Sequence, residues 1–265
     1  MGKKNGQIMK VFLDEKAQQV NCVDERFYTL DEKTYYPSVT TVLQSYPKGQ
    51  YFEQWLRDTG NNSKTILREA GIKGTNVHNA IESFLKGGEV RLVNPDHSEN
   101  YTLAEWQMIN KFMDFWSYEG IDRDSLEIEE LLFSKQMKLG GTGDLVISID
   151  NENWFIDHKT SNMIHKTYRV QLAVYKRMWE LQNPGRTIDR YGVLWLNAKT
   201  RTKKGFMQGK GWQINEFTQY YDHDMKLYGN VRAIWDEENP DYRPANKKYP
   251  NSFSLKAKKS AKRGS

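Results

Sequence analysis

The sequence predicts an α/β fold in which helices flank a central mixed β-sheet. Residues 144–149 and 154–159 are two short runs rich in β-branched and aromatic residues, and the turn-forming residues between them predict a β-hairpin. An apolar stripe along residues 103–118 predicts a helix before the hairpin, and the pattern at 168–181 predicts another after it. A buried-type strand at 189–197 follows. This order of helices and strands is typical of a sheet covered by helices.

The elements before the hairpin are predicted to be mostly helical. Residues 1–9 read as a disordered lead, and three short segments at 11–13, 20–23 and 27–30 predict a small antiparallel addition. A helix is expected to start at Pro37-Ser38, with Ser38 as its N-cap, and to end before Pro47. Further helices are predicted at 51–57 and 63–85, the second broken or bent near Gly71–Gly74 with Thr75 capping its second half.

The elements around and after the hairpin complete the predicted sheet and its cover. A strand at 126–137 leads into the hairpin, a short strand is predicted at 211–214, and residues 217–235 form an amphipathic helix. Residues 246–265 are polar and basic without a core-forming pattern, which predicts a disordered tail. We therefore expect one domain over residues 10–245, with a mostly helical part at 10–120 and a catalytic core at 121–245.

Composition restricts the class of protein. The chain has 265 residues, 28% of them charged, and a mean hydropathy of -0.81, and it has no apolar run of the length that crosses a membrane. We expect a cytoplasmic protein with no signal or transmembrane segment. Its single cysteine, Cys22, excludes an intramolecular disulfide and any four-cysteine zinc or iron–sulfur site. A net charge of +5 and a pI of about 9.0 suit a polyanionic partner.

The hairpin carries charged side chains at one end. Asp157 and Lys159 point to the same face of their strand, about 7 Å apart at ~3.3 Å per residue, and the apolar residues fall on the opposite face. Asp144 starts the first strand and Asp157 lies near the end of the second, so antiparallel pairing puts them side by side. Carboxylate oxygens are ligands that Mg²⁺ and Mn²⁺ prefer. Alone, such residues are often strand-end acids with local hydrogen bonds.

Several motifs in order resemble the PD-(D/E)XK nuclease superfamily. They are Gly141-Thr-Gly-Asp144, Asp157-His-Lys159 and Gln171-x-x-x-Tyr175, and the last resembles the RecB-like branch, which includes exonucleases of phages and of mitochondrial genome maintenance. Upstream, Gly74-Thr-Asn-Val-His78-Asn-Ala-Ile-Glu82 resembles the histidine-bearing helix of that branch, and Pro37-Ser-Val-Thr-Thr-Val-Leu43 resembles its opening helix. The resemblance covers residues 35–200 and implies a restriction-endonuclease-like core with an N-terminal helical addition.

The resemblance implies a metal site and a catalytic lysine. Asp144 and Asp157, with the backbone carbonyl of His158, would hold Mg²⁺ or Mn²⁺, and His78 would complete or flank the site. Lys159 would lie near the attacking water. No iron–sulfur cluster is expected. Taken without the resemblance, His78 is more often a structural histidine than a ligand.

Further residues are implied as catalytic or DNA-binding. Gln171 and Tyr175, one turn apart, would orient the DNA backbone or the site, although a polar pair at a helix boundary is the plainer interpretation. Glu129 occupies the position of a strand glutamate in related nucleases, with Glu127 or Glu130 as alternatives.

The predicted DNA-binding residues are basic except for one. They are Glu82 and the loop residues Lys199, Arg201, Lys203, Lys204 and Lys210. The plain alternatives are an exposed helix charge for Glu82 and a solvated loop for the basic run, whereas lysines and arginines that follow a strand out of a sheet suit a phosphate backbone. Tyr51, Phe52 and Trp55 are interpreted as core residues rather than base-stacking ones.

These features predict a metal-dependent deoxyribonuclease acting on DNA ends, with single strands preferred, in replication, recombination or repair, and of a kind that phages encode. DNA is the expected partner, with recombination or replication proteins as further partners. One alternative is a structure-dependent or nicking endonuclease on the same fold. The other is a catalytically inactive DNA-binding or assembly protein.

Overall fold

A computed structural model describes residues 9–13, 17–22, 25–31, 33–121, 126–198, 201–202, 205–206 and 211–244. The predicted tail at 246–265 and all of the predicted lead except Met9 lie outside these residues. No helix in the described part of the chain is both long and apolar enough to cross a membrane.

The N-terminal part begins with a small antiparallel sheet and continues with helices, as the sequence predicts. The sheet order is β1-β2-β3-β4. The elements are β1 (Met9–Leu13), β2 (Ala17–Cys22), β3 (Glu25–Thr29), β4 (Tyr36–Pro37), α1 (Val39–Val42), a 3₁₀ turn (Leu43–Ser45), α2 (Gln50–Thr59), α3 (Asn62–Leu85) and α4 (Leu103–Glu119). Ser38 caps α1 as predicted, since the backbone N–H of Thr41 donates to its hydroxyl at 2.9 Å.

The remaining elements form the central sheet and its second helical layer. They are β5 (Glu127–Ser134), β6 (Leu139–Ile149), β7 (Glu152–Lys159), α5 (Lys166–Gln182), β8 (Arg190–Trp195), β9 (Arg201–Thr202), β10 (Gly205–Phe206), β11 (Gln213–Glu216), a 3₁₀ turn (Thr218–Tyr220) and α6 (Tyr221–Glu238). Among the described residues the central sheet has the order β11-β8-β7-β6-β5; β7 and β8 are parallel and the other neighbours antiparallel. The predicted mixed sheet is confirmed.

The hairpin turns at Asp150 and Asn151, whose φ angles are 52° and 64°. Two successive residues with positive φ are the mark of a type I′ turn, which matches the twist of the flanking strands, and Asp and Asn tolerate this conformation well. The turn fixes the register of β6 on β7, with Leu145 opposite Ile156.

Both faces of the hairpin are packed, so the prediction of one apolar and one charged face is wrong. Leu145 and Ile156 belong to a core shared with α3 and α4. Val146 and Phe155, on the face that also carries Asp144 and Asp157, belong to a second core shared with α5 and α6. On this face the charged side chains lie at the end of the strands, beyond Val146 and Phe155.

Helix α3 runs unbroken from Asn62 to Leu85, which corrects the predicted break near Gly71–Gly74. A helical glycine costs about 1 kcal/mol relative to alanine, which weakens a long helix without ending it. Thr75 does not cap a second helix; its hydroxyl donates to the carbonyl of Gly71 at 3.1 Å, one turn earlier.

Helix α2 also differs from its predicted role. No residue of α2 is buried, and Tyr51 is 84% exposed. Phe52 and Trp55 contact each other with ring centroids 5.6 Å apart, and both remain partly exposed. The interpretation of these three aromatic residues as core is therefore wrong.

Candidate active site

Asp144 and Asp157 meet at the end of the hairpin remote from its turn. The register of β6 and β7, continued one residue beyond the Leu145–Ile156 pair, brings the two acids level on neighbouring strands. The backbone N–H of His158 donates to Asp144 Oδ2 at 3.0 Å, which fixes the Asp144 carboxylate against β7. This is the side-by-side arrangement that strand pairing predicts.

Asp157 and Lys159 form a nearly buried ion pair. The distance from Lys159 Nζ to Asp157 Oδ2 is 2.5 Å, and Lys159 Nζ also lies 5.1 Å from the ring centre of Tyr168. Burial raises the pKa of Asp157 to about 6; the Lys159 ammonium opposes this rise and the Asp144 carboxylate adds to it. Burial acts to lower the pKa of Lys159, but Asp157 and Asp144 outweigh it and the pKa is raised. Lys159 is therefore a fixed cation beside two acids.

His78, Asp144 and His158 form a second cluster at the same place. His78 Nδ1 lies 3.7 Å and His158 Nδ1 3.3 Å from Asp144 Oδ2. The two imidazole rings are stacked, with centroids 3.8 Å apart and an angle of 28° between their planes. One ligand atom from each of the three residues lies within 4.8 Å of the others. The cluster opens to solvent through His78, whose side chain is 26% exposed.

The chemistry of this cluster fits a divalent cation. Neither ring nitrogen of His158 has a hydrogen-bond partner among the described residues. Burial, with His78 nearby, lowers the pKa of His158 to about 3, so its imidazole is neutral and has a free lone pair. Burial acts to raise the pKa of Asp144, but His78, His158 and Lys159 outweigh it and hold the pKa below its usual range. A carboxylate and neutral imidazole nitrogens are common metal ligands.

The sequence profile of the PD-(D/E)XK nuclease superfamily matches residues 50–246. The chain belongs to this superfamily. Among solved structures, it is similar to a crystal structure named "Putative exonuclease" from Eubacterium rectale, with 13% sequence identity over 65% of this chain and 70% of that one and a TM-score of 0.39. No curated protein sequence matches the chain.

The placement of His78 depends on a close approach between α3 and the end of β7. A Cβ atom on Gly74 would lie 3.3 Å from the hydroxyl oxygen of Thr160, the residue after Lys159. His78 follows one helical turn later, on the same side of α3. The glycine that prompted the incorrect prediction of a helix break thus serves the superfamily site by letting α3 lie against it.

Gln171 and Tyr175 face the sheet from α5 rather than solvent, so they are not the polar pair of a helix boundary. The Gln171 side chain hydrogen-bonds the Tyr175 hydroxyl, and burial raises the pKa of Tyr175, which keeps its hydroxyl protonated. The Tyr175 ring covers Gly141, where an added Cβ would come within 2.5 Å of the ring. The pair therefore contacts the glycine segment that leads into Asp144.

Tyr28 is a neighbour of the site that sequence reasoning missed. Its fully buried ring lies on Gly140, where an added Cβ would be 1.9 Å from Tyr28 Cγ. The available signal was the Gly140-Gly141 pair, because adjacent strand glycines often mark a close approach of other groups. Nothing in the pattern around Tyr28 indicates which residue makes that approach.

For Glu129, the predicted strand glutamate, the structure describes the backbone position only. Ile128 pairs with Leu145 and Glu130 with Gly143, which sets Glu129 level with Asp144 on the neighbouring strand. The side chains of Glu129 and Glu130 lie outside the described part. Glu127 forms an ion pair with Arg186 and accepts from Trp179 Nε1 at 2.9 Å, so it is engaged in packing α5 on β5.

The predicted DNA-binding residues are only partly described. Glu82 forms an ion pair with Lys86, one turn later on α3, and is not part of the metal-ligand cluster. Arg201 lies in β9, which pairs with β10, but its side chain is outside the described residues. Lys199, Lys203, Lys204 and Lys210 also lie outside them.

Proposed function

We propose that this chain is a divalent-metal-dependent deoxyribonuclease of the RecB-like branch that hydrolyses phosphodiester bonds at DNA ends. One observation carries the proposal: Asp144, Asp157 and Lys159 are adjacent on neighbouring strands, and His78 Nδ1 lies 3.7 Å from the Asp144 carboxylate. Three titratable groups brought together at one partly open end of a sheet mark a reaction site rather than a stabilising surface pair.

The metal would be Mg²⁺ or Mn²⁺, held by Asp144 and His78, with Asp157 and the backbone carbonyl of His158 beside them. When bound, a divalent ion polarises a phosphoryl oxygen and lowers the pKa of a coordinated water. Asp157 is paired with Lys159 and is not in the three-residue cluster, so it contributes to the site from the lysine side.

Lys159 supplies a positive charge at the position where negative charge develops on the phosphate. Its ammonium is held by Asp157, so it needs little reorganisation when a substrate arrives. The raised pKa keeps Lys159 protonated near neutral pH, which suits stabilisation of phosphoryl oxygens better than proton abstraction. Gln171 and Tyr175 hold the Gly141 segment, and therefore Asp144, in place from α5.

A preference for single strands is supported by α2. Tyr51, Phe52 and Trp55 are exposed or partly exposed on a helix that buries no residue, and Lys48 lies 5.0 Å from the Phe52 ring centre. Unpaired bases stack on such aromatic side chains, whereas bases within a duplex cannot reach them. Lys64 and Arg68, exposed at the start of α3, add positive charge. The proposed setting is replication, recombination or repair, including phage recombination in the cytoplasm.

The experiment is a cleavage time course on linear and circular single-stranded DNA of the same sequence, with Mg²⁺, Mn²⁺ or EDTA. An end-labelled linear strand should be shortened from its end with either metal and remain intact in EDTA. The circle should survive, because an end-directed enzyme finds no end on it.

Two other outcomes would contradict the proposal. Cleavage of the circle would identify an endonuclease on this fold. No metal-dependent cleavage of single- or double-stranded DNA would favour a binding protein. Lys159→Met, purified in the same way, serves as the inactive control and should show no cleavage.

A further inference from the structure

The side chain of His158 is buried on the opposite side of the sheet from Asp157 and Lys159. Strand alternation directs it away from Asp157 and Lys159, toward α3 and α4. It is 5% exposed, its ring is stacked on His78, and the ring centre of Phe112 lies 6.0 Å away. Phe112 belongs to the apolar core that the sheet shares with α3 and α4.

Packing alone does not account for a histidine at this position. A phenyl or leucyl side chain would fill the same space, and neither would bring two polar nitrogens into the interior. Neither nitrogen has a hydrogen-bond partner among the residues that the structure describes. Nδ1 is nevertheless directed at the Asp144 carboxylate, 3.3 Å from Oδ2, the oxygen that also lies 3.7 Å from His78 Nδ1.

We propose that His158 binds the catalytic cation through its imidazole, so that two histidines and Asp144 form a site selecting Mn²⁺ over Mg²⁺. The inference rests on the proposed function only in that the cation is the one proposed there to act in DNA cleavage. Imidazole nitrogen is a good ligand for first-row transition metals, whereas Mg²⁺ prefers oxygen and holds its waters tightly. The stacked rings already place both nitrogens near one carboxylate oxygen, so binding needs little rearrangement.

The first test counts nitrogen ligands by pulsed electron paramagnetic resonance of the full-length protein loaded with Mn²⁺. The wild type should show two coordinated imidazole nitrogens, and His158→Phe and His78→Phe should each show one. Both variants keep the backbone carbonyl of residue 158, so the measurement separates the side chain from the backbone. A single nitrogen in the wild type would overturn the proposal without any variant.

The second test measures Mn²⁺ and Mg²⁺ affinities by calorimetry, without DNA. His158→Phe should weaken Mn²⁺ binding by at least about tenfold and leave Mg²⁺ binding nearly unchanged. A parallel loss for both metals would mean that His158 only orients Asp144, and unchanged Mn²⁺ affinity would mean that it only packs; either result overturns the proposal.

Failure of this inference can be told apart from failure of the proposed function. Thermal unfolding of the metal-free variants checks that they fold, and His158→Leu replaces His158→Phe if the larger ring does not. A wild-type enzyme that cleaves DNA with one coordinated nitrogen keeps the nuclease and removes the role of His158. Two coordinated nitrogens in a protein that does not cleave DNA would keep the role of His158 as a metal ligand and remove the proposed nuclease function.

Discussion

At the scale of single residues, we expect the two members of the Asp157–Lys159 pair to differ in how much their removal destabilises the protein. Asp157→Leu leaves the Lys159 ammonium without its partner in a site where it is only 19% exposed, and should destabilise the metal-free protein by roughly 3 kcal/mol. Burial already raises the pKa of Asp157 to about 6 against the opposing Lys159 ammonium. Lys159→Met removes that ammonium, so the pKa of Asp157 rises further, the carboxyl takes up a proton more readily, and the cost should be only about 1 kcal/mol.

Both changes should nevertheless remove cleavage. The expected loss in kcat is at least about 10²–10³-fold for either variant, because each removes a charge that acts on the phosphate or its metal. Urea unfolding at pH 7 measures the stabilities, and single-turnover cleavage measures the chemistry. Equal destabilisation of the two variants, or an active Lys159→Met, would show that the pair is structural.

The positions of single residues could be predicted from the sequence where the geometry depends only on the hairpin. Alternation places Asp157 and Lys159 together, and antiparallel pairing places Asp144 beside them, as the structure shows. The contact between His158 and His78 could not be predicted in the same way. It depends on where α3 crosses the end of the sheet, and the sequence pattern carries no such tertiary information.

At the scale of elements, the glycines of β6 make a second prediction. Gly140→Ala would place a Cβ 1.9 Å from the buried Tyr28 ring and should cost about 3 kcal/mol or more, because neither the ring nor the strand can move freely. Cleavage by the folded fraction should also fall, since Tyr28 and Tyr175 support the segment that carries Asp144.

Gly71→Ala on α3 is the matched control. A Cβ there meets nothing within 4 Å, and the residue lies inside a continuous exposed stretch of helix. Alanine should stabilise the protein by about 0.5–1 kcal/mol. Thermal and urea unfolding compare the two variants, and a destabilised Gly71→Ala would mean that α3 requires flexibility at that point.

The glycines of α3 show why secondary-structure elements were predicted correctly in some places and not in others. Local chemistry predicted the hairpin, the Ser38 cap and the major helices, because turn residues and apolar periodicity determine them directly. It failed at Gly71–Gly74, where a glycine pair reads as a break, whereas the helix continues and Gly74 lets it pack closely against Thr160. It also failed at α2, because an amphipathic helix shows which face is apolar and not whether any other element covers that face.

At the scale of the whole molecule, the N-terminal sheet is part of the same body as the site. Ser38 bridges to Gly140 on β6, and Tyr28 of β3 covers the same glycine. Near the other end of the described chain, Tyr242 packs on Phe27 with ring centroids 4.9 Å apart. Tyr28 and Ser38 therefore support β6 from one side while α5 supports it from the other, so changes in the N-terminal sheet should affect catalysis.

The arrangement of α2 relative to the sheet gives the last prediction. Helix α2 joins the start of α3, about 18 Å from Gly74 at 1.5 Å per residue, so an aromatic contact there would reach bases several nucleotides from the cleaved bond. Tyr51→Ala and Trp55→Ala should each weaken binding of single-stranded DNA by about 1–3 kcal/mol. Because α2 buries no residue, stability should change by no more than about 0.5 kcal/mol.

Fluorescence anisotropy with a labelled oligothymidine in EDTA measures this affinity without cleavage, at one fixed salt concentration because phosphate contacts depend on salt. Ile234→Ala, an exposed aliphatic change on α6, is the control and should leave the affinity unaltered. Duplex affinity should change little in all three variants, since paired bases cannot stack on a side chain. Unaltered single-strand affinity in Tyr51→Ala and Trp55→Ala, together with a lower melting temperature, would instead make α2 a packing element and remove the structural support for single-strand preference.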